Sequence, residues 1–151
     1  IILLAEKPMA KIAAMPRVAQ VLKKVRKKIK ISLDYYKKYA HVRGRIMVAD
    51  LTSGKYMRLR FAPYYLHPRL HYAMSFLKQG KLFRWGWGSN PWHRPKDGIR
   101  IGEFLRRYGG GGHAVAGGAE FKSRRAVLKA VEEIVAYINR KNRKQKIEEK
   151  L

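Results

Sequence analysis

Six glycines fall within the ten residues from Gly109 to Gly118, and no other stretch bears so strongly on what this chain can fold into. Glycine visits φ > 0 freely and lets a ligand approach the backbone, yet it costs about 0.5–1 kcal/mol against alanine inside regular structure, so a cluster needs a compensating gain. The run sits between a helical pattern, Ile101–Arg107, and a strand-like one, Ala114–Phe121, without the serine or proline of a flexible linker. Two readings stay open, a passive connector and a shaped anion-binding turn, and the second is favoured. Successive N–H groups bared by Gly109, Gly110, Gly111 and Gly112, with Gly117 and Gly118 close behind, would form a nest for a phosphate oxygen. The His113 imidazole would add a directed donor. This is neither a P-loop, whose Lys-Ser/Thr pair is absent, nor a dinucleotide fingerprint, which needs a strand before its glycines and a helix after them.

Gly110-Gly111-Gly112-His113, two variable residues, then Ala116-Gly117-Gly118 resembles the GGGHxxAAG signature of the DHH-associated domain, the C-terminal substrate-binding half of Asp-His-His phosphoesterases. The similarity runs from about Arg45 to Ile138. Upstream, Gly88-Ser89-Asn90-Pro91-Trp92 and Ile101-Gly102-Glu103 through Tyr108 are similar to segments of exopolyphosphatase-like members. Two departures stand out: Gly117 replaces the middle alanine, and Gly88-Ser89 stands where many oligoribonuclease-type members carry Arg-Ser. The resemblance implies a phosphate end gripped by the glycine-histidine turn, with Ser89, Asn90 and Arg94 as further contacts. It also implies an N-terminal catalytic domain that is missing here and carries Mn or Mg. The expected ligand is single-stranded nucleic acid, a short oligonucleotide or a nucleotide phosphate. A similar glycine-rich domain closes alanyl-tRNA synthetases, so a non-catalytic RNA-binding appendage is the alternative, and His113 favours the phosphoesterase.

The charge agrees with an anionic partner. Thirty-five Lys and Arg face ten Asp and Glu, a formal net charge of +25 that no fold requires and that repels itself in the compact state. High-temperature proteins raise Glu together with Lys, and here acids are scarce. With no cysteine, disulfides, thiolate metal sites and Cys nucleophiles are excluded. The longest apolar run, Ile1–Ala5, is far short of the roughly 20 residues of a membrane span. A cytoplasmic location with no membrane contact is expected, and a start without Met suggests a segment of something longer.

Along the chain, Val18, Val21, Leu22, Val25 and Ile29 recur at helical spacing from Pro16, with Lys23, Lys24, Arg26, Lys27, Lys28 and Lys30 opposite. Tyr35, Tyr36 and Tyr39 fit a short helix or packed loop closing a small core. Arg45–Leu51 reads as a strand, and Tyr56–Phe61 as a half-exposed strand with a cationic outer face. Leu70–Leu77 and Lys81–Trp87 read as a hairpin. Trp85, Trp87 and Trp92 are costly to expose together, so indoles plugging the sheet end are preferred over a base-stacking platform. Ser123–Ile138 is a helix with Val127, Ala130, Val131, Ile134, Val135 and Ile138 on one face.

These patterns predict an α/β fold, a mixed four- to five-stranded sheet flanked by helices Pro16–Ile29, Ile101–Arg107 and Ser123–Ile138. Residues 1–44 are expected to be a helical linker, 45–138 the substrate-binding domain and 139–151 a disordered basic tail. His41, His67, His71, His93 and His113 lie in no DHH, DxD or HExxH arrangement, and the only aspartates are Asp34, Asp50 and Asp97. No catalytic or metal-binding residue is therefore assigned to this chain, and hydrolysis is expected on the partner domain.

Overall fold

Period-two alternation along three central strands sorts their side chains into two unlike faces, and this sorting organises the molecule. The computed structural model describes the backbone of residues 8–148 and the side chains of residues 8–143. Its strands are β1 (His41–Arg43), β2 (Ile46–Asp50), β3 (Tyr72–Gln79), β4 (Leu82–Ser89), β5 (Gly111–His113) and β6 (Ala116–Phe121). They form one sheet in the order β1-β2-β3-β4-β6-β5. β2 and β3 run parallel, while every other neighbouring pair is antiparallel. The helices are α1 (Met9–Ala14), α2 (Pro16–Tyr39), α3 (Ala62–Leu66), α4 (Ile101–Leu105) and α5 (Arg124–Glu148).

One face carries the bulk. Tyr72, Met74 and Phe76 of β3 and Trp85 and Trp87 of β4 point to this side, where Val127, Val131, Ile134 and Ile138 of α5 close the main core. Fully burying each such side chain contributes about 1.5–3 kcal/mol, so this layer dominates the stability. On the opposite face a smaller core joins Met47, Ala49 and Leu51 to Tyr36 of α2 and Tyr64 of α3. It covers only the β2 side of the sheet. The rest of that face is left to the small residues described below.

Several elements depart from the sequence expectation, each for a local reason. The sheet has six strands because two three-residue strands, β1 and β5, add themselves at its edges, and segments that short carry no readable alternation. The boundary expected after residue 44 falls within the β1–β2 hairpin, where Arg43 pairs with Ile46 around Gly44 at φ +65°. Tyr56–Phe61 is not a strand. Its residues join no ladder, and the Arg58 guanidinium instead reaches across the sheet to donate to the carbonyls of Ser75 at 3.3 Å and Arg84 at 2.6 Å. α2 continues to Tyr39 because neither Gly nor Pro interrupts residues 17–39. α5 likewise runs on to Glu148 through much of the expected disordered tail, whose Lys, Arg, Gln and Glu are good helix formers. The apolar run Ile1–Ala5 and the last three residues lie outside the described residues. Among the described residues no helix is long and apolar enough to cross a membrane.

Candidate functional site

Strand registers place a row of minimal side chains across the face of the sheet opposite α5. Ser75 pairs with Gly86, Gly86 with Gly118, and Gly118 with Gly111. A second row runs Ala73, Gly88, Ala116, His113. Paired residues project to the same side of a sheet, so four adjacent strands present almost bare backbone there. The consequence is a cleft of about 550 Å³, within the 300–1,000 Å³ range of ligand sites.

The walls are cationic and aromatic. Arg58, Arg60 and Arg94 line the cleft together with His113, and none of its lining residues is a carboxylate. A Cβ at Gly86 would stand 2.9 Å from a guanidinium nitrogen of Arg58, whose side chain would have to shift to admit it. Burial lowers the Arg58 pKa, the neighbouring Arg84 lowers it further, and Tyr36 opposes the shift. Both acceptors of Arg58 are neutral carbonyls, so its charge is not cancelled by them. Burial also raises the Tyr36 pKa, against the opposing influence of Ser75, Leu59 and the Arg58 charge, and keeps the phenol neutral. Tyr64, likewise raised by burial, donates to the Gly88 carbonyl at 2.6 Å and anchors the cleft at its β4 end.

Gly111–His113 forms the far side. Two inter-strand steps separate β5 from β4, so the glycine edge faces the Arg58 side across roughly 10 Å. The run is thus a β-hairpin rather than one nest-like turn, with Ala114 and Val115 as its loop. Several of its glycines are demanded by close approaches: a Cβ on Gly117 would stand 2.5 Å from the Gly111 carbonyl oxygen, and one on Gly118 2.7 Å from that of Trp85. The Val115 carbonyl accepts from the Ser89 amide at 2.9 Å and its hydroxyl at 3.2 Å, which ties the loop to β4.

No protein-family model and no curated protein matches the sequence. Solved structures do match. A pGpG-specific phosphodiesterase, PggH from Vibrio cholerae, superposes with a TM-score of 0.76 and 23% identity over 89% of this chain and 47% of that one. At this identity the likeness is one of fold. An exopolyphosphatase-related protein from Bacteroides fragilis shares it with a TM-score of 0.57 and 14% identity, over 74% of this chain and 35% of that one. The chain therefore spans about half the length of the first structure and about a third of the second. The C-Ala domain of Aquifex aeolicus alanyl-tRNA synthetase aligns at a TM-score of 0.46 and 17% identity, over 64% of this chain and 95% of that one.

Within this fold, seven of the sequence-selected residues meet at the cleft: Ser89, Arg94, Gly111, Gly112, His113, Gly117 and Gly118. Three do not line it. Gly109 and Gly110 spend their N–H groups on the carbonyls of Arg106 and Leu105, terminating the helical segment before β5. Asn90 is buried. Its amide donates to the carbonyls of Pro68 and Leu70, while its oxygen accepts from the N–H groups of Trp92 and His93. Asn90 thus shapes the loop that carries Trp92 and Arg94. Asn90→Ala should cost about 1–3 kcal/mol, since buried carbonyls lose their donor. Thermal unfolding would show it, and a variant as stable as the native chain would contradict this role.

Sequence reasoning missed Arg58, Arg60 and the glycine floor. The signal was present in Trp85-Gly86-Trp87-Gly88, which read with period two puts indoles on one face and bare backbone on the other. The tryptophans divide accordingly: Trp85 and Trp87 are core, while Trp92 is exposed. Among the described residues no group of three or more His, Cys, Asp or Glu is placed to hold a metal ion.

Proposed function

We propose that this chain is the substrate-binding part of a DHH-type metal-dependent phosphoesterase, gripping the phosphate end of a nucleotide or short oligonucleotide in the cleft. The observation that carries the reading is a cleft floored by backbone and walled by Arg58, Arg60, Arg94 and His113 without a carboxylate. Floor glycines let a phosphate come close to the sheet, while guanidinium groups offer forked donors matched to its oxygens. The cleft has room for more than a bare phosphate, and the PggH-like fold makes a 5′-phosphorylated dinucleotide a reasonable first ligand. In this reading Mn or Mg is held by a separate catalytic domain. What this chain contributes is grip and orientation. Holding a reacting group in place supplies a large part of a catalytic rate without any chemistry by the holder.

Binding of a short phosphorylated oligonucleotide should weaken steeply with salt, because each phosphate neutralised releases condensed counterions, at about −0.7 log unit per log unit of salt and per contact on a single strand. Three arginines in contact with phosphates would give a slope of about −2. Titration between low and moderate ionic strength measures it. A flat response would show that the cationic cleft is not where the ligand sits.

A further inference from the structure

We propose that Trp92 and Phe61 form a stacking seat for a nucleobase attached to the phosphate in the cleft, an inference that rests on the phosphate-gripping reading above. Phe61 lines the cleft, and Trp92 stands beyond it with ring centroids 5.7 Å apart and planes at 66°. Both rings are unusually open, Trp92 at 70% and Phe61 at 49% exposure, whereas the other two indoles are at 1% and 2%. A tryptophan left in water beside a second open ring is an apolar surface that a ligand would cover with gain. Trp92 is also held in place. Its backbone N–H donates at 2.9 Å to Asn90, a side chain buried to 1% exposure, which anchors the backbone that carries the ring.

The surroundings select the occupant. The Arg60 guanidinium lies 5.4 Å from the Phe61 ring centre, and Arg94 follows Trp92 by two residues along the cleft wall. Neither arginine forms an ion pair among the described residues. Exposed aromatic surface next to arginines that no carboxylate neutralises suits a group that is flat and apolar at one end and anionic at the other. A nucleobase with its own phosphate has that form, and stacking tolerates any base because every base has a π-face.

The test titrates the full chain with a 5′-phosphorylated diguanylate and, in parallel, with ribose 5-phosphate, reading affinities by calorimetry and following intrinsic fluorescence alongside. Trp92 is the exposed indole, so stacking should quench emission with the dinucleotide and not with the sugar phosphate. Trp92→Ala should weaken dinucleotide binding about tenfold while leaving ribose 5-phosphate affinity unchanged, and Trp92→Phe should recover most of the loss. Because the ring is exposed, the variant keeps its core. Dinucleotide affinity equal to native in Trp92→Ala overturns the inference. A native chain that binds both probes equally overturns it too, yet leaves the phosphate grip standing. Failure of the native chain to bind either probe overturns both.

Discussion

Gly112→Ala should lower stability by about 3–5 kcal/mol, because the substitution combines two costs at one residue. Gly112 has φ +145°, a region that side chains rarely adopt, and an added Cβ would overlap the Ala116 carbonyl oxygen and the Gly117 Cα across the hairpin. Both obstacles are backbone atoms of the paired strand, so no rotamer change relieves the overlap. The hairpin would have to open. In a chain of this size the change corresponds to a fall in melting temperature of roughly 10 °C. Gly102→Ala should behave similarly, since its Cβ would strike the carbonyl of Gly112 where α4 rests on β5. Thermal unfolding of each variant measures the effect. A Gly112→Ala variant that melts with the native chain would show that the β5–β6 hairpin is not packed as described.

The α5 helix was legible because Val127, Val131, Ile134 and Ile138 repeat at helical spacing against one sheet. The β3–β4 hairpin was legible because two long apolar runs flank Gly80. The α/β class followed from these alone. The glycine run pointed to the region of the cleft but not to its form. Glycine composition says that something comes close; it does not say whether the approaching group is a ligand or the neighbouring strand. Here the neighbouring strand accounts for Gly110, Gly112, Gly117 and Gly118. Tyr56–Phe61 misled for another reason. Arg58 and Arg60 alternate with apolar residues as in a half-exposed strand, yet Arg58 points across the sheet to carbonyls far along the chain, a contact that no local pattern records. Asn90 looked like a free polar donor because a buried satisfied amide and an exposed one have the same sequence signature.

Gly111 differs from its neighbours in a way that makes it the best probe of function. A Cβ there meets nothing within 4 Å, and its φ is not positive, so a β-branched residue fits the strand without strain. Gly111→Val should therefore fold with nearly native stability while placing an isopropyl group on the cleft wall. Binding should suffer instead. Hydrogen bonds to a charged phosphate contribute about 1.5–3 kcal/mol each, so loss of one or two would weaken a phosphorylated dinucleotide about tenfold to a hundredfold. His113→Ala removes only a side-chain donor and leaves the backbone approach open, so its effect should be smaller. Titration of the folded variants compares them. A Gly111→Val chain that binds like the native one would leave the hairpin with a purely structural role.

The most direct measurement pairs the same dinucleotide with a phosphate or a hydroxyl at each end and titrates all forms into the native chain at fixed salt. A terminal phosphate carries about −1.5 to −2 charge near neutral pH and three strong acceptor oxygens, against a single charge on an internal diester. If the cleft grips a phosphate end, one phosphorylated form should bind at least about tenfold more tightly than its hydroxyl counterpart. Equal affinity for every end chemistry would contradict the account.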